Sequence, residues 1–173
     1  MSKVLVVVHS LTGTSRNLAK LLCMDQDWRM AEITEAHRRS GGYGNARCVL
    51  DSLFRLKPAV RYDGPPPSDF DVVVLVSPIW ILRLSGPMRS FVARFRKQLP
   101  DVAVVSVMGG SGGPNAAAEI AQLTGRAPIL STTFTAREVE DGSCAARLQA
   151  FGTEVANSKD SREAARPNAI CVG

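Results

Sequence analysis

No apolar run in this sequence approaches the ~18–20 residues that a helix needs to cross a bilayer. The N-terminus shows no signal-peptide pattern either; it passes straight into a strand-like segment. A membrane span is therefore not expected, and the expected compartment is the cytoplasm. Cysteine is sparse and scattered: Cys23, Cys48, Cys144 and Cys171 share no CxxC spacing. That argues against a zinc site or a redox pair and for free thiols in a reducing compartment. Aromatic residues make up only 6% of the chain. Lys and Arg are spread over most segments, with one knot at Arg38-Arg39. A nucleic-acid site needs basic charge gathered with aromatics or set in a recognised module. The net charge of +5 therefore reads as a solvated, slightly basic surface, open to an anionic small molecule or an acidic partner.

The commoner phosphate-binding motifs are missing too. No GxxxxGK[ST] run is present, which removes a Walker-type nucleotide hydrolase. Gly110-Ser111-Gly112 follows a strand-like run, but no later Gly completes GxGxxG in register. A response regulator needs a phosphoacceptor Asp closing its third strand, and here Ser77 closes it.

What the sequence does have is one unusual turn, His9-Ser10-Leu11-Thr12-Gly13-Thr14-Ser15-Arg16-Asn17. It follows the apolar run Val4–Val8 and precedes a helical pattern from Asn17 to Met24, so a buried strand hands over to a helix. The first N–H groups of a helix have no internal partner, and the helix dipole places partial positive charge there. Ser10, Thr12, Thr14 and Ser15 add hydroxyl donors, while Gly13 allows a positive φ or close approach to a ligand. One hydroxyl suffices to cap a helix; this many are expected to form a socket for a phosphate dianion without a Lys.

The rest of the chain, at 173 residues enough for one domain with a real core, alternates apolar strands with amphipathic helices. Leu18, Leu21 and Leu22 share a helical face. A second strand is expected over Trp28 to Thr34, with Met30 and Ile33 inward. Residues 35–45 read as a loop, and Cys48 to Lys57 as a helix stopped by Pro58. Gly64-Pro65-Pro66-Pro67 is a stiff connection to the third strand, Asp71–Val76. After the turn Ser77–Gly86, Pro87 opens a helix with the apolar stripe Met88, Phe91, Val92, Phe95 and Leu99. Arg89, Arg96 and Lys97 are expected on its wet side. A fourth strand, Val102–Val107, leads into Gly109–Gly113 and a helix through Ile120 and Leu123. A fifth strand is expected near Ile129–Phe134, and a last helix near Ala145–Ala156. Residues 157–173 form a polar tail outside the domain 1–156.

This pattern predicts a doubly wound three-layer α/β fold, a five-stranded parallel sheet in the order 2-1-3-4-5 covered on both faces. In that order the switch point lies between the first and third strands, and ligands bind beyond the carboxyl ends there. The turns Ser10–Asn17 and Ser77–Gly86 emerge at that edge, with Gly109–Gly113 beside them.

These same turns resemble those of the flavodoxin family. Ser10-Leu11-Thr12-Gly13-Thr14-Ser15 resembles its phosphate loop, [ST]-x-T-G-x-[ST]. Ser77-Pro78-Ile79-Trp80, continuing to Gly86-Pro87-Met88-Arg89-Ser90-Phe91, is similar to its third-strand loop, and Met108–Gly113 to its glycine-rich loop. The resemblance spans nearly all of residues 1–156. It implies a flavodoxin-like fold with FMN as cofactor. Ser10, Thr12, Gly13, Thr14, Ser15 and Asn17 would hold the phosphate, and Pro78, Ile79 and Trp80 would border the flavin ring. Gly109, Gly110, Ser111, Gly112 and Gly113 would bring backbone N–H groups to its polar edge. An indole at Trp80 offers a flat stacking face. Beyond it the family usually carries small residues; here Ile81-Leu82 either narrow the slot or pack outward over the ring. Many electron-carrier flavodoxins have Asn at the position of Thr14 and are strongly acidic.

The expected activity is oxidoreduction, with NAD(P)H as donor and a quinone-like or other small acceptor. The alternatives are an FMN electron-transfer module docking on a redox partner protein, or a scaffold of the same fold with weak or lost flavin binding. No catalytic acid or base is assigned: His9 reads as a hydrogen-bonded structural residue, and His37 has no evident partner. The apolar positions of Ile79–Leu84 suit a subunit contact in a homo-oligomer as well as a ligand cover.

Overall fold

The computed structural model describes residues 2–35, 58–80, 83–109 and 113–164. The expected helix over 48–57, Ile81-Leu82 and Gly110-Ser111-Gly112 lie outside the described residues. The chain begins with β1 (Val4–Val8), α1 (Thr14–Gln26), β2 (Arg29–Glu35) and β3 (Val60–Tyr62). A short 3-10 turn at Pro67–Asp69 leads to β4 (Val72–Trp80), β5 (Arg83–Leu84) and α2 (Gly86–Phe95). Then come β6 (Asp101–Met108), α3 (Gly113–Thr124), β7 (Leu130–Thr135), α4 (Ala136–Glu140) and α5 (Ala145–Ala164).

Strands β2, β1, β4, β6 and β7 lie side by side and parallel, which is the expected order 2-1-3-4-5. The strand count, however, is corrected: among the described residues the sheet has seven strands. β3 adds an antiparallel edge beside β2, and β5 folds back antiparallel on β4. Both extra strands are too short to show any period in the sequence.

Successive residues of a strand face opposite sides of the sheet, and β1 is apolar on both. Val4, Val6 and Val8 join Leu18 and Leu22 of α1 and Leu148, Phe151 and Val155 of α5. Leu5 and Val7 join Met88, Phe91 and Val92 of α2 and Ile120 of α3. Helices thus cover both faces, giving the expected three layers. β2 also serves both: Ala31 and Ile33 belong to the second cluster, while Met30 packs against the first. Tyr62 of β3 reaches over α2, its ring 4.9 Å from Phe91 and 5.4 Å from Phe95. Gly64 lets the chain turn tightly behind it, since a Cβ there would stand 2.6 Å from both Ala31 and Tyr62.

β7 is the outermost described strand on its side. Arg147 of α5 hydrogen-bonds the Thr133 carbonyl at 2.6 Å, and its guanidinium lies 4.5 Å from the centroid of the Phe134 ring. α5 itself continues past the expected end at Ala156 to Ala164. That added stretch is polar, yet Lys159, Arg162, Glu163 and Ala164 are good helix formers.

Candidate functional site

The carboxyl ends of β1, β4 and β6 stand next to one another, with Val8 opposite Val76 and Pro78 opposite Val107. From β1 the chain crosses to β2 on one side, while β4 lies on the other. The connections after β1 and β4 therefore part at this edge, the place where an open α/β sheet forms its ligand crevice.

The first connection is the hydroxyl turn. α1 starts at Thr14, earlier than the expected Asn17, behind Gly13 at φ 99 and ψ −23. That backbone conformation is strained for any L side chain, though a Cβ there would meet nothing within 4 Å. Ser10 Oγ accepts the Gly13 N–H at 3.1 Å, and Thr12 Oγ1 lies 3.5 Å from Thr14 Oγ1. No side chain caps α1, and its first turn contains no acid. The first bond within the helix is the Asn17 N–H to the Gly13 carbonyl, at 2.9 Å. The N–H groups of Thr14, Ser15 and Arg16 thus precede any internal acceptor, at the positive end of an unopposed dipole. Thr12 and Asn17 are exposed, Ser10, Gly13 and Thr14 half-buried, and Ser15 is buried beneath them.

Arg16 does not supply a free cation to this turn. Its Nε bonds the two Glu32 carboxylate oxygens at 3.0 and 3.1 Å, and Nη2 also meets Glu32. The Glu32 hydrogen bond holds the guanidinium pKa above its ordinary value.

The second connection is a hairpin rather than an open loop, because β4 runs past Ser77 to Trp80. Ile79 pairs with Leu84, and Trp80 with Arg83. The Ile79 side chain is 8% exposed and belongs to the same core cluster as Leu84 and Met88. Pro78 is half-buried. Trp80 is placed by its strand pairing, and its side chain lies outside what the structure describes.

A further correction concerns Arg89, which is not on the wet side. It is 2% exposed and ion-paired to Glu119 of α3. Arg89 Nη2 donates to the Leu84 carbonyl at 2.9 Å, and Glu119 Oε2 accepts the Leu84 N–H at 3.2 Å. The pair thereby satisfies both backbone groups of Leu84, as a neighbouring strand would. In the third connection Gly109 is exposed and Gly113 opens α3. A separate cleft of about 350 Å³ lies at the opposite, amino-terminal edge, lined by Ser2, Lys3, Trp28, Pro65 and Phe70 among others.

Compared by sequence, the chain matches no protein-family model and no curated protein. Solved structures do match. A flavoprotein from Lactobacillus acidophilus, solved in complex with FMN, has a TM-score of 0.67 at 17% identity, covering 83% of this chain and 99% of its own. A solved structure from Bacteroides eggerthii has a TM-score of 0.68 at 19% identity, covering 82% and 95%. A flavodoxin from Fusobacterium nucleatum bound to flavin mononucleotide has a TM-score of 0.57 at 9% identity, covering 91% and 99%. The chain has the flavodoxin-like fold.

In this flavodoxin-like frame the hydroxyl turn and the β4–β5 hairpin come together at the switch point as the sequence anticipates. The ionic and polar supports behind them were missed. A lone Arg at a P-x-R position shows no sign of burial in sequence, and Glu119 lies on a different helix. Among the described residues no His, Cys, Asp and Glu cluster could hold a metal ion, and no helix is long and apolar enough to cross a membrane.

Proposed function

We propose that this chain is an FMN-binding oxidoreductase of the flavodoxin-like fold, reducing a quinone-like or other small acceptor with NAD(P)H. One observation carries the reading: α1 starts behind Gly13, which has no side chain to cap it, while the described bonds of Ser10, Thr12 and Thr14 go to the Gly13 N–H and to each other rather than to the N–H groups of Thr14 to Arg16. Capping would be the ordinary reason for such residues. An uncapped helix start without an acid, at the switch point, fits the phosphate end of FMN.

In this reading Ser10, Thr12 and Thr14, with the N–H groups of Thr14 to Arg16 and the side chain of Asn17, hold the phosphate. Ser15, buried below, shapes the turn. By the resemblance, the ring lies against the 78–80 segment, with the 109–113 backbone along its polar edge. Bound FMN would supply the redox chemistry, as acceptor of hydride from a nicotinamide and donor of electrons to the small acceptor. The polypeptide binds, orients and excludes water. No acid or base is assigned among the described residues. His9 is buried, and burial pushes its imidazole down to about 4, so it stays neutral near pH 7.

The test is direct. Protein purified with FMN should hold the yellow chromophore through gel filtration and consume NAD(P)H with a quinone faster than free FMN does. Bound FMN without faster turnover would remove the reductase reading and favour an electron-transfer module. Failure to bind FMN would overturn the flavin reading itself.

A further inference from the structure

A buried polar chain lies between the hydroxyl turn and the ring-side hairpin. His9 is 4% exposed, and Ser77 and Ser85 are 2% each. His9 Nδ1 stands 3.1 Å from Ser85 Oγ, which is 2.8 Å from Ser77 Oγ. Ser77 Oγ in turn lies 3.2 Å from the Pro78 carbonyl. That carbonyl only accepts, and each hydroxyl has one hydrogen to give. A single arrangement makes every bond at once: His9 Nδ1–H donates to Ser85, Ser85 to Ser77, and Ser77 to Pro78. The chain is directional, and it selects the Nδ1–H tautomer.

The members of this chain belong to different elements. His9 directly precedes the hydroxyl turn, and its N–H bonds the Val76 carbonyl at 3.0 Å. Ser77 lies within β4. Ser85 occupies the N-cap position of α2, where a serine ordinarily caps the helix; its side chain makes no cap bond and bonds inward instead. A cap has been given up for a link between the two connections that border the crevice.

We propose that His9 is a positioning residue that couples the phosphate-side turn to the ring-side hairpin through Ser85 and Ser77. The coupling is a property of the chain alone; its effect on a flavin rests on the FMN reading above.

The test uses His9→Asn, His9→Gln, His9→Phe and Ser85→Ala. Asn keeps a donor near the Nδ1 position, Gln carries its amide further out, and Phe has none. Ser85→Ala cuts the same link with little change in volume, in case His9→Phe does not fold. Amide hydrogen exchange on flavin-free protein reads the coupling. His9→Phe and Ser85→Ala should raise exchange at 10–14 and at 83–86 together, by about tenfold, roughly one buried hydrogen bond. His9→Asn should restore both segments, and His9→Gln should not. A rise in one segment alone, or in neither, overturns the proposal.

Titration with FMN and with riboflavin, which lacks the phosphate, then reads the flavin half. Ser85→Ala should weaken both by the same factor and shift the bound flavin's midpoint potential, whereas Thr12→Ala should weaken FMN alone. An unaltered potential and unaltered affinities in Ser85→Ala would overturn a positioning role at the flavin. Should the wild type bind no FMN, the flavin reading falls, and the exchange result still decides the coupling.

Discussion

Removing Glu119 takes the paired carboxylate from a buried guanidinium that lies against the β4–β5 hairpin. Arg89 is 2% exposed and Glu119 13%, so breaking this pair from one side falls in the range of about 3–5 kcal/mol for buried ion pairs. Glu119→Leu should sit in that range, because it also takes the acceptor from the Leu84 N–H. Arg89→Met should lie at the low end, about 3 kcal/mol, since the more exposed carboxylate can rehydrate. The double variant is decisive. An ordinary buried pair replaced by apolar residues of similar volume is often neutral or even stabilising. Here both backbone groups of Leu84, a residue 1% exposed, would lose their partners, and each buried orphan costs roughly 1–3 kcal/mol. Two such orphans amount to about 2–6 kcal/mol, so Arg89→Met/Glu119→Leu should stay destabilised by at least about 2 kcal/mol. Urea unfolding at constant m-value measures this through the midpoint. A double variant as stable as the wild type would refute the idea that the pair stands in for a missing strand.

Other perturbations test other parts of the molecule. Gly13→Ala should cost about 1–2 kcal/mol from its left-handed φ of 99 alone, with no steric term, as read by thermal unfolding; an unmoved midpoint would mean that the turn relaxes. Thr12→Ala with Thr14→Ala should weaken FMN by several kcal/mol at most, at ~1.5–3 kcal/mol for each charge-assisted bond, measured by fluorescence titration. His9 should make stability pH-dependent. Its pKa falls from 6.5 to about 4 on folding, so the unfolded chain binds the proton more readily. The stabilisation is complete above pH 6.5 and is lost as pH drops toward 4, by about 3 kcal/mol. His9→Asn should flatten that slope in urea titrations across the window. Burial raises the Cys23 thiol to about 11, so iodoacetamide should alkylate it slowly in the folded protein at pH 8.

The parallel core of the fold was legible because each of its strands is a run of Val, Leu, Ile or Ala followed by a helical period. The turn at Ser10–Asn17 was legible as a strand-to-helix connection because the apolar run Val4–Val8 stops before it and the helical face of Leu18 and Leu22 starts after it. β3 and β5 were not, since Val60–Tyr62 and Arg83–Leu84 are held by neighbours, Tyr62 by Phe91 and Leu84 by the Arg89–Glu119 pair. Charge alone put Arg89 in water, although a guanidinium with a carboxylate and a carbonyl to bond can be buried. The end of α5 escaped because its polar stretch carries no apolar period, while its helix-forming residues need none. Among the described residues, a hydroxyl that does cap a helix is Thr135, in a reciprocal box with Glu138 ahead of α4, far along the chain from Ser10–Asn17.

Arg147 has a consequence for how copies of this protein behave when crowded. An outermost strand offers bare amide and carbonyl groups that another chain can pair with, which is the first step toward stacking and precipitation. By filling the Thr133 carbonyl, lying against Phe134 and pairing with Glu138 at 3.0 Å, the half-exposed Arg147 places a charged pair where such a neighbour would dock. The guanidinium acts as a sentry on the rim, keeping the sheet from growing from one molecule into the next.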